Sequence, residues 1–282
     1  MDEITAEYET TALIPEVELK WIPKVTVAAK TDLGRVRENN EDKYEFFLPE
    51  SPSQLASRGL VFVVCDGMGG HEAGQIASEL ATKTFIDVYL NHPATETRVA
   101  ARDAVLAANR FVHDVSRAIP GREGMGTTLS SLLLTQDTMV VAHVGDSRVY
   151  RLRGEEAGCI TSDHTWVNES VKAGLITEAE AVNHPYKNVI TRAIGTAATV
   201  EVDVFEGDVL AGDRYLLCSD GVMNHVEDPE IYQHMRDYAP SEAVWRLVNL
   251  AITRGGSDNT TVMIVRVDAM QDPETFFGSV SS

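Results

Sequence analysis

Acidic side chains stand at the boundaries of short apolar runs along this sequence. They are Glu41, Asp42, Asp66, Asp146, Asp220 and Asp258. Apolar runs of this length are typical of buried strands, and the ends of neighbouring strands in a packed sheet lie at a shared edge. The spacing therefore predicts that these acids converge in one cleft.

A cluster of carboxylates needs cations, because like charges repel and each buried carboxylate loses its hydration. Mg²⁺ and Mn²⁺ prefer such an all-oxygen ligand set. Gly67, directly after Asp66, would let a backbone carbonyl approach an ion closely. The alternative is that Asp-Gly and Gly-Asp pairs are ordinary turn signals beside strands. Any one pair suits that alternative, whereas the whole set favours a metal site.

Arg37 lies four residues before Glu41, and this spacing tethers a planar cation close to the acids. A guanidinium group can hold a phosphate through two parallel hydrogen bonds. The alternative is a surface ion pair between Arg37 and its acidic neighbours. Arg37 is therefore a candidate phosphate-binding residue.

The elements that must position these residues are mainly strands. Apolar, β-branched runs predict strands over 60–65, 139–144, 215–218 and 262–267, and 129–134 suits a strand or a helix. Helical spacing recurs over 72–90, 100–115 and 244–251. Strands outnumber helices, and the helices come in blocks rather than in alternation with strands. This order predicts an α+β layered fold and argues against a Rossmann-type sheet.

Single residues refine the helix predictions. Phe111 is expected on the buried stripe of the second helix, and Ser241 is expected to cap the third. Thr177 with Glu180 predicts a capping box at the start of a further short helix.

Length and composition predict one globular domain with two tails. The chain has 282 residues, of which 44% are hydrophobic and 24% charged. We expect residues 1–24 to form an acidic N-terminal extension, residues 25–267 the domain, and residues 268–282 a polar C-terminal tail. No proline-, serine- or glycine-rich linker divides the domain.

The charge argues against several classes of partner. Lysine and arginine number 24 against 43 aspartates and glutamates, which gives a net charge of -19. Nucleic acid and anionic membranes would be repelled, and no apolar run approaches the ~18 residues of a membrane-spanning helix. The N-terminus lacks the basic and apolar regions of a signal peptide, and the few cysteines are widely spaced. These features predict a cytoplasmic protein that binds no nucleic acid and has no membrane segment.

Short motifs follow one another in a fixed order along the chain. They are Arg37-x-x-Asn40-Glu41-Asp42, Val64-Cys65-Asp66-Gly67-Met68-Gly69-Gly70-His71, Gly126-Thr127-Thr128, Val144-Gly145-Asp146-Ser147-Arg148, Cys218-Ser219-Asp220-Gly221 and Ser257-Asp258-Asn259-Thr260-Thr261. In these motifs the chain resembles the bacterial metal-dependent protein phosphatases of the protein phosphatase 2C (PPM) family. The resemblance covers about residues 25–267. It implies a four-layer α-β-β-α sandwich with two central, mostly antiparallel sheets.

The resemblance also implies a centre of two tightly bound Mn²⁺ or Mg²⁺ ions. Asp66 would bridge the ions, Gly67 would offer its carbonyl, and Asp220 and Asp258 would complete the ligand set. Asp146 would hold a third, weaker ion together with Asp220.

Further roles follow from the same resemblance. Glu41 and Asp42 would hold metal-bound waters, and Arg37 would bind the substrate phosphate. Eukaryotic relatives carry a histidine directly after the Asp-Gly pair, where this chain has Met68. His71, three positions on, is either the general acid or a polar residue that caps the following helix.

The activity implied by the resemblance is dephosphorylation of phosphoserine and phosphothreonine proteins. The metal centre would generate a hydroxide that attacks phosphorus in line, without a covalent phosphoenzyme. Residues 165–190 match a flap beside the site, and a cognate kinase with its targets is left open as a partner. Two alternatives also stay open: a pseudophosphatase that binds phosphoproteins as a scaffold, and a phosphoesterase for small molecules.

Overall fold

Two antiparallel sheets form the centre of the computed structural model, which describes residues 17–69 and 72–278. Its strands are β1 (Ile22–Asp32), β2 (Asp42–Phe47), β3 (Leu60–Met68), β4 (Gly126–Thr127), β5 (Leu129–Thr135), β6 (Thr138–Val144), β7 (Arg148–Arg153), β8 (Glu156–Cys159), β9 (Asp203–Asp208), β10 (Arg214–Cys218) and β11 (Thr260–Gln271). Sheet I has the order β1-β11-β10-β7-β8, and sheet II has the order β2-β3-β5-β6-β9, with the short β4 paired to β3.

Helices cover the outer faces of these sheets and also lie in the segments that connect the strands. They are α1 (Pro52–Ser57), α2 (Glu72–Leu90), α3 (Thr97–Ala118), α4 (Trp166–Lys172), α5 (Glu178–Val182), α6 (Asp220–Met223), α7 (Asp228–Asp237), α8 (Pro240–Thr253) and α9 (Pro273–Gly278). Among the helices of residues 17–69 and 72–278, none combines the length and the apolar character that a bilayer-crossing helix needs.

Strand β3 shows how the layers are built. Because side chains alternate across a strand, Val61, Val63 and Cys65 pack against α2 and α3 on the outer face of sheet II. Phe62 and Val64 point the other way, into the core between the sheets. A third core lies between sheet I and α6–α8. The α-β-β-α order confirms the predicted fold class.

The structure confirms the predicted strands and corrects several details. The run 129–134 is strand β5, and the strand predicted over 60–65 continues to Met68, so Asp66 lies inside β3 rather than after it. Ser241 does not cap α8, because the cap position is Ala239, followed by Pro240. The capping box of Thr177 at α5 is confirmed.

Phe111 was placed wrongly on the buried stripe of α3, because its side chain is 46% exposed. The buried face is centred on Ala101, Ala104, Ala108 and Val112. Phe111 lies about 60° around the helix from the middle of that face, given ~100° per residue. The apolar spacing therefore predicted the helix and misjudged its rotation.

Strand pairing extends beyond both predicted domain boundaries. Ile22 pairs with Gln271, and Pro23 pairs with Met270, so the ends of β1 and β11 complete sheet I. The buried side chain of Ile22 belongs to the core between the sheets. Residues 1–16 of the predicted extension and residues 279–282 of the predicted tail lie outside the described residues.

Candidate metal centre

The register of β2 and β3 brings two predicted acids together. Asp42 and Asp66 are directly paired, and paired residues in antiparallel strands share one face of the sheet. Thr128 holds the Asp66 backbone on both sides, since its Oγ1 accepts from Asp66 N at 2.8 Å and its N donates to Asp66 O at 2.8 Å. Thr127 Oγ1 adds a hydrogen bond to the same carbonyl. The Gly-Thr-Thr motif thus fixes the strand that carries Asp66.

Asp42 is buried between the two sheets. Its Oδ2 accepts hydrogen bonds from Ser219 Oγ at 2.7 Å, directly after β10, and from Thr261 Oγ1 at 2.6 Å, on β11 of sheet I. Its Oδ1 is buried without a hydrogen-bond partner among the described residues. Asp42 therefore joins the sheets and keeps one oxygen atom available at the edge of the cluster.

Asp258 is held by the loop that carries Arg37. Arg37 Nη2 donates to Asp258 Oδ2 at 2.7 Å, so the guanidinium contacts an acid far along the chain. Asn259 fixes the same junction, because its Oδ1 accepts from Glu41 N at 2.8 Å and its Nδ2 donates to Leu33 O at 3.0 Å. The predicted phosphate-binding residue and a predicted metal ligand are thus in contact.

Asp220 is the first residue of the short helix α6. Its Oδ2 accepts from Asn224 Nδ2 at 3.2 Å, and its Oδ1 is buried without a hydrogen-bond partner within the described part of the chain. Gly221 packs so closely on the segment after Asp258 that a Cβ atom there would lie 2.0 Å from Asn259 O. Glycine at this position therefore allows α6 to bring Asp220 beside Asp258.

Asp146 lies in a tight turn after β6, with only 7% of its surface exposed. Gly145 has a φ of 113°, and a Cβ atom there would lie 2.5 Å from Thr128 Cγ2. The turn is tied to His164, whose Nδ1 accepts from Gly145 N at 3.0 Å. The structure thus places the Asp146 turn against Thr128, which holds the backbone of Asp66.

The acids influence one another strongly. Burial and the charges of Asp42, Asp220, Asp146 and Asp258 hold the pKa of Asp66 well above its ordinary value. Burial raises the pKa of Asp42 to about 7, with Asp220 and Asp258 adding to the effect. Burial and Asp220 raise the pKa of Asp146 to about 8. The folded protein therefore pays a free-energy cost for ionising this cluster.

These residues fit a hard divalent ion in several respects. The donors are carboxylate and carbonyl oxygens, and two buried carboxylate oxygens, on Asp42 and Asp220, have no hydrogen-bond partner within the described residues. A Cβ atom on Gly67 would lie 2.7 Å from Glu41 O, so the backbone comes close to the acids there. Within residues 17–69 and 72–278, however, no three acidic, histidine or cysteine side chains form a ready-made ion-binding group. Repulsion between the carboxylates and the contact of Arg37 with Asp258 both keep the acidic side chains apart.

The predicted flap borders a cleft beside these acids. The flap is closed at its base by the pairing of Thr165 with Ile190, and it contains α4 and α5. The cleft has a volume of about 640 Å³, and Asp146 and Asp220 line it together with residues of α4, α5 and α6. Trp166 stacks on His184 inside the flap, with 4.7 Å between ring centroids.

The sequence did not assign several residues that build the site. Asn259, Thr128 and Ser219 stand inside the quoted motifs, and their hydrogen bonds to the acids' backbone or side chains depend on strand register. The position of His164 in the sequence gives no ligand spacing relative to the acids, so the sequence alone assigns it no role at the site. His71 lies outside the described residues, so both of its expected roles, general acid or helix-capping residue, stay open.

The fold and this carboxylate site together define the class of metal-dependent phosphatases. The model of the family "Protein phosphatase 2C" matches residues 35–249. The chain belongs to the protein phosphatase 2C family. The family predicted from the motifs is therefore confirmed.

Relatives and solved structures give the extent of the similarity. The chain is 37% identical over 257 residues to the serine/threonine protein phosphatase PstP of Mycobacterium tuberculosis, covering 90% of this chain and 48% of PstP, so it spans about half the length of that relative. It is 35% identical over 247 residues to the serine/threonine phosphatase stp of Listeria monocytogenes, covering 86% of this chain and 96% of the relative. A structure of the PstP catalytic domain in complex with 2 manganese ions is similar with a TM-score of 0.74 and 35% identity, covering 88% of this chain and 99% of that one.

Proposed function

We propose that this chain is a metal-dependent serine/threonine phosphoprotein phosphatase. The observation that carries the proposal is the convergence of Asp42, Asp66, Asp146, Asp220 and Asp258, from different strands and loops, on one edge of the sandwich. The names of the relatives support the substrate class, since they are serine/threonine phosphatases.

The cofactor is Mn²⁺ or Mg²⁺, and Asp66, the Gly67 carbonyl, Asp220 and Asp258 would hold it as two tight ions. The neighbour in complex with 2 manganese ions supports this assignment. Asp146 with Asp220 would hold a third, weaker ion. When bound, these cations supply a hydroxide nucleophile near neutral pH and positive charge for the phosphoryl oxygens.

The chain's own residues bind and orient the phosphate group. Arg37 is tethered by its contact with Asp258 and is 49% exposed, so its guanidinium can turn toward a phosphate beside the acids. Oδ2 of Asp42 accepts from the hydroxyl groups of Ser219 and Thr261, so Oδ1 is the oxygen that would orient a water. Glu41 lies against Gly74 and would also help to orient water. The phosphoryl group is thus aligned for in-line transfer to water without a covalent phosphoenzyme.

The cleft beside the flap supports a polypeptide substrate rather than a small phosphoester. Its volume of about 640 Å³ extends from Asp146 and Asp220 along α4 and α5. A small phosphoester would need only the part of this space closest to the acids. Phosphoserine and phosphothreonine proteins are therefore the proposed partners, and a cytoplasmic location stays a prediction from composition.

The proposed function is tested by initial rates on phosphoserine and phosphothreonine peptides and on an aryl phosphate. We expect turnover with millimolar Mn²⁺ or Mg²⁺ and none after EDTA treatment, with activity restored by added Mn²⁺. Undiminished activity after thorough chelation would exclude the metal mechanism. Phosphopeptide binding without hydrolysis would indicate a pseudophosphatase, and hydrolysis of small esters alone would indicate the phosphoesterase.

Arg37→Ala is expected to raise the KM for a phosphopeptide about tenfold or more. The loss of two parallel hydrogen bonds to phosphate causes this effect, and Arg37→Lys restores only part of the affinity, because an ammonium group lacks the planar fork. Steady-state kinetics at saturating Mn²⁺ measure the change. Arg35→Ala, in the same exposed loop, is the matched control and should keep the wild-type KM. An unchanged KM and kcat in Arg37→Ala would contradict the assignment.

A further inference from the structure

His164 is buried against the turn that carries Asp146, with 3% of its surface exposed. It contacts the Gly145 peptide twice. Its ring Nδ1 accepts from Gly145 N at 3.0 Å, and its backbone N donates to Gly145 O at 2.8 Å. Because Gly145 has a φ of 113°, local backbone preferences alone do not hold this turn. The residue before Asp146 is therefore fixed by a side chain from a distant segment.

The other edge of the His164 ring faces an acid on sheet II. Its Nε2 lies 3.3 Å from Oδ2 of Asp203, the first residue of β9. Since Nδ1 accepts the Gly145 N–H, the proton of the neutral ring is on Nε2, where it points to the carboxylate. Arg192 Nη1 donates to the second oxygen of Asp203 at 3.2 Å. The same nitrogen lies 3.4 Å from His164 Nε2, which cannot accept from it because the ring proton is there. Asp203 thus selects the tautomer that leaves Nδ1 free to accept.

The same residues form the base of the flap. Thr191 N donates to His164 O at 2.8 Å, next to the pairing of Thr165 with Ile190. Thr191 Oγ1 donates to Oε1 of Glu169, which belongs to the flap helix α4, at 2.7 Å. His164 therefore lies where the flap leaves the domain, and it contacts the flap base and the Asp146 turn at once.

Two other roles for His164 fit the contacts less well. A metal ligand needs an available ring nitrogen, and both nitrogens of His164 are engaged by Gly145 and Asp203. A residue that only fills space in the core would not need a hydrogen-bond partner for each of its two ring nitrogens. His143 shows the contrast: it packs 4.8 Å from the His164 ring, and its buried Nε2 has no partner among the described residues.

We propose that His164 is a positioning residue that holds the Gly145–Asp146 turn in place and couples it to the base of the flap. Asp203 supports this role by fixing the ring tautomer. The inference rests on the proposed function, because Asp146 matters for turnover only if the centre is a phosphatase. The contact between His164 and the Gly145–Asp146 turn is a property of the metal-free protein and can be measured without any activity.

The experiment compares His164→Ala, His164→Asn and Asp203→Asn with a matched histidine elsewhere. Asparagine keeps an acceptor oxygen near the position of Nδ1, so it should restore what alanine loses. His92 is the control, because its Nδ1 accepts from Ala94 N at 3.1 Å and its Nε2 lies 3.5 Å from Asp103 Oδ2. His92 thus has the same pair of contacts at the far end of α2.

The first readout is hydrogen exchange in the metal-free protein. We expect exchange of the Gly145 amide to become at least about tenfold faster in His164→Ala, to recover largely in His164→Asn, and to stay at the wild-type rate in His92→Ala. Asp203→Asn should give an intermediate increase, and it keeps the test open if His164→Ala does not fold. Wild-type exchange at Gly145 in both His164→Ala and Asp203→Asn would overturn the proposal.

The second readout is steady-state turnover across a Mn²⁺ titration. We expect His164→Ala to lose about tenfold in kcat on a phosphopeptide and to require more Mn²⁺ for half-maximal rate, with little change in KM and two tight ions retained. His92→Ala should match the wild type in each quantity. An equal loss in both variants would reveal a general stability effect and overturn the proposal. If the wild type itself showed no turnover, the proposed function would fail, while the exchange experiment would still decide the role of His164.

Discussion

Replacing Asp66 by Asn is expected to lower turnover of an aryl phosphate by at least about 10³-fold, and Asp220→Asn should do the same. Each carboxylate is proposed to hold an ion that supplies several kcal/mol of transition-state stabilisation. Initial rates at saturating Mn²⁺ measure the loss. Asp137→Asn is the control, because Asp137 lies in the turn between β5 and β6, at the end of sheet II opposite the acids. A loss of less than tenfold in either variant would show that this residue is not a ligand of the two tight ions.

The Asp66→Asn variant should also be more stable than the wild type when metal is removed at pH 8. The pKa of Asp42 rises from 3.8 to about 7, and that of Asp146 rises from 3.8 to about 8, mainly through burial. Raised pKa values mean that the folded state retains protons that the unfolded chain has released. The free energy of unfolding of the metal-free protein therefore falls as pH rises from about 4 to 8.

Removing one charge from the cluster should weaken this dependence. Thermal unfolding in EDTA between pH 5 and pH 8 measures it, and we expect a smaller decline in Asp66→Asn than in the wild type. Added Mn²⁺ should raise the melting temperature of the wild type most at high pH, because the ion binds only the folded, ionised cluster. A melting temperature of the metal-free wild type that does not change with pH would show that the carboxylates are not coupled in this way.

Much of the candidate site was predictable from the sequence, because each acid stands next to a strong local signal. Apolar runs predicted the strands, and the ends of strands placed Asp146, Asp220 and Asp258 at one edge. The signal for Asp66 was less direct, since β3 continues through it to Met68. What joins Asp66 to Asp42 is the register between β2 and β3, a long-range pairing that no local pattern encodes.

The residues that the sequence did not assign act through contacts between distant segments. Asn259 ties the Arg37 loop to Asp258, and Ser219 with Thr261 fixes Asp42 across the two sheets. Serine, threonine and asparagine occur in most turns, so their types alone carry no such information. The prediction that Phe111 is buried was wrong for a related reason, because the neighbours that a helix packs against decide which of its faces is buried.

Asp146→Ala is expected to fold, to keep two tight ions and to lose most turnover on phosphopeptides. Asp146 and Asp220 line the cleft beside the flap, whereas Asp66 is paired with Asp42 across β2 and β3 and is not among the residues that line this cleft. An ion held by Asp146 and Asp220 would keep most of its waters and gain little from two acids, so it binds weakly. It should therefore fill only at the millimolar metal concentrations at which activity is measured.

Titration calorimetry and Mn²⁺ paramagnetic relaxation would count the ions in Asp146→Ala and in the wild type, with initial rates taken from the same samples. Asp137→Ala is the matched control and should retain both the ion count and the rate. Full activity in Asp146→Ala would show that Asp146 is an ordinary turn residue. Loss of all metal binding would show that it is a ligand of the two tight ions. Retention of two ions with loss of turnover is the result that separates a third, weaker site from the other two, because only such a site can be removed without emptying them.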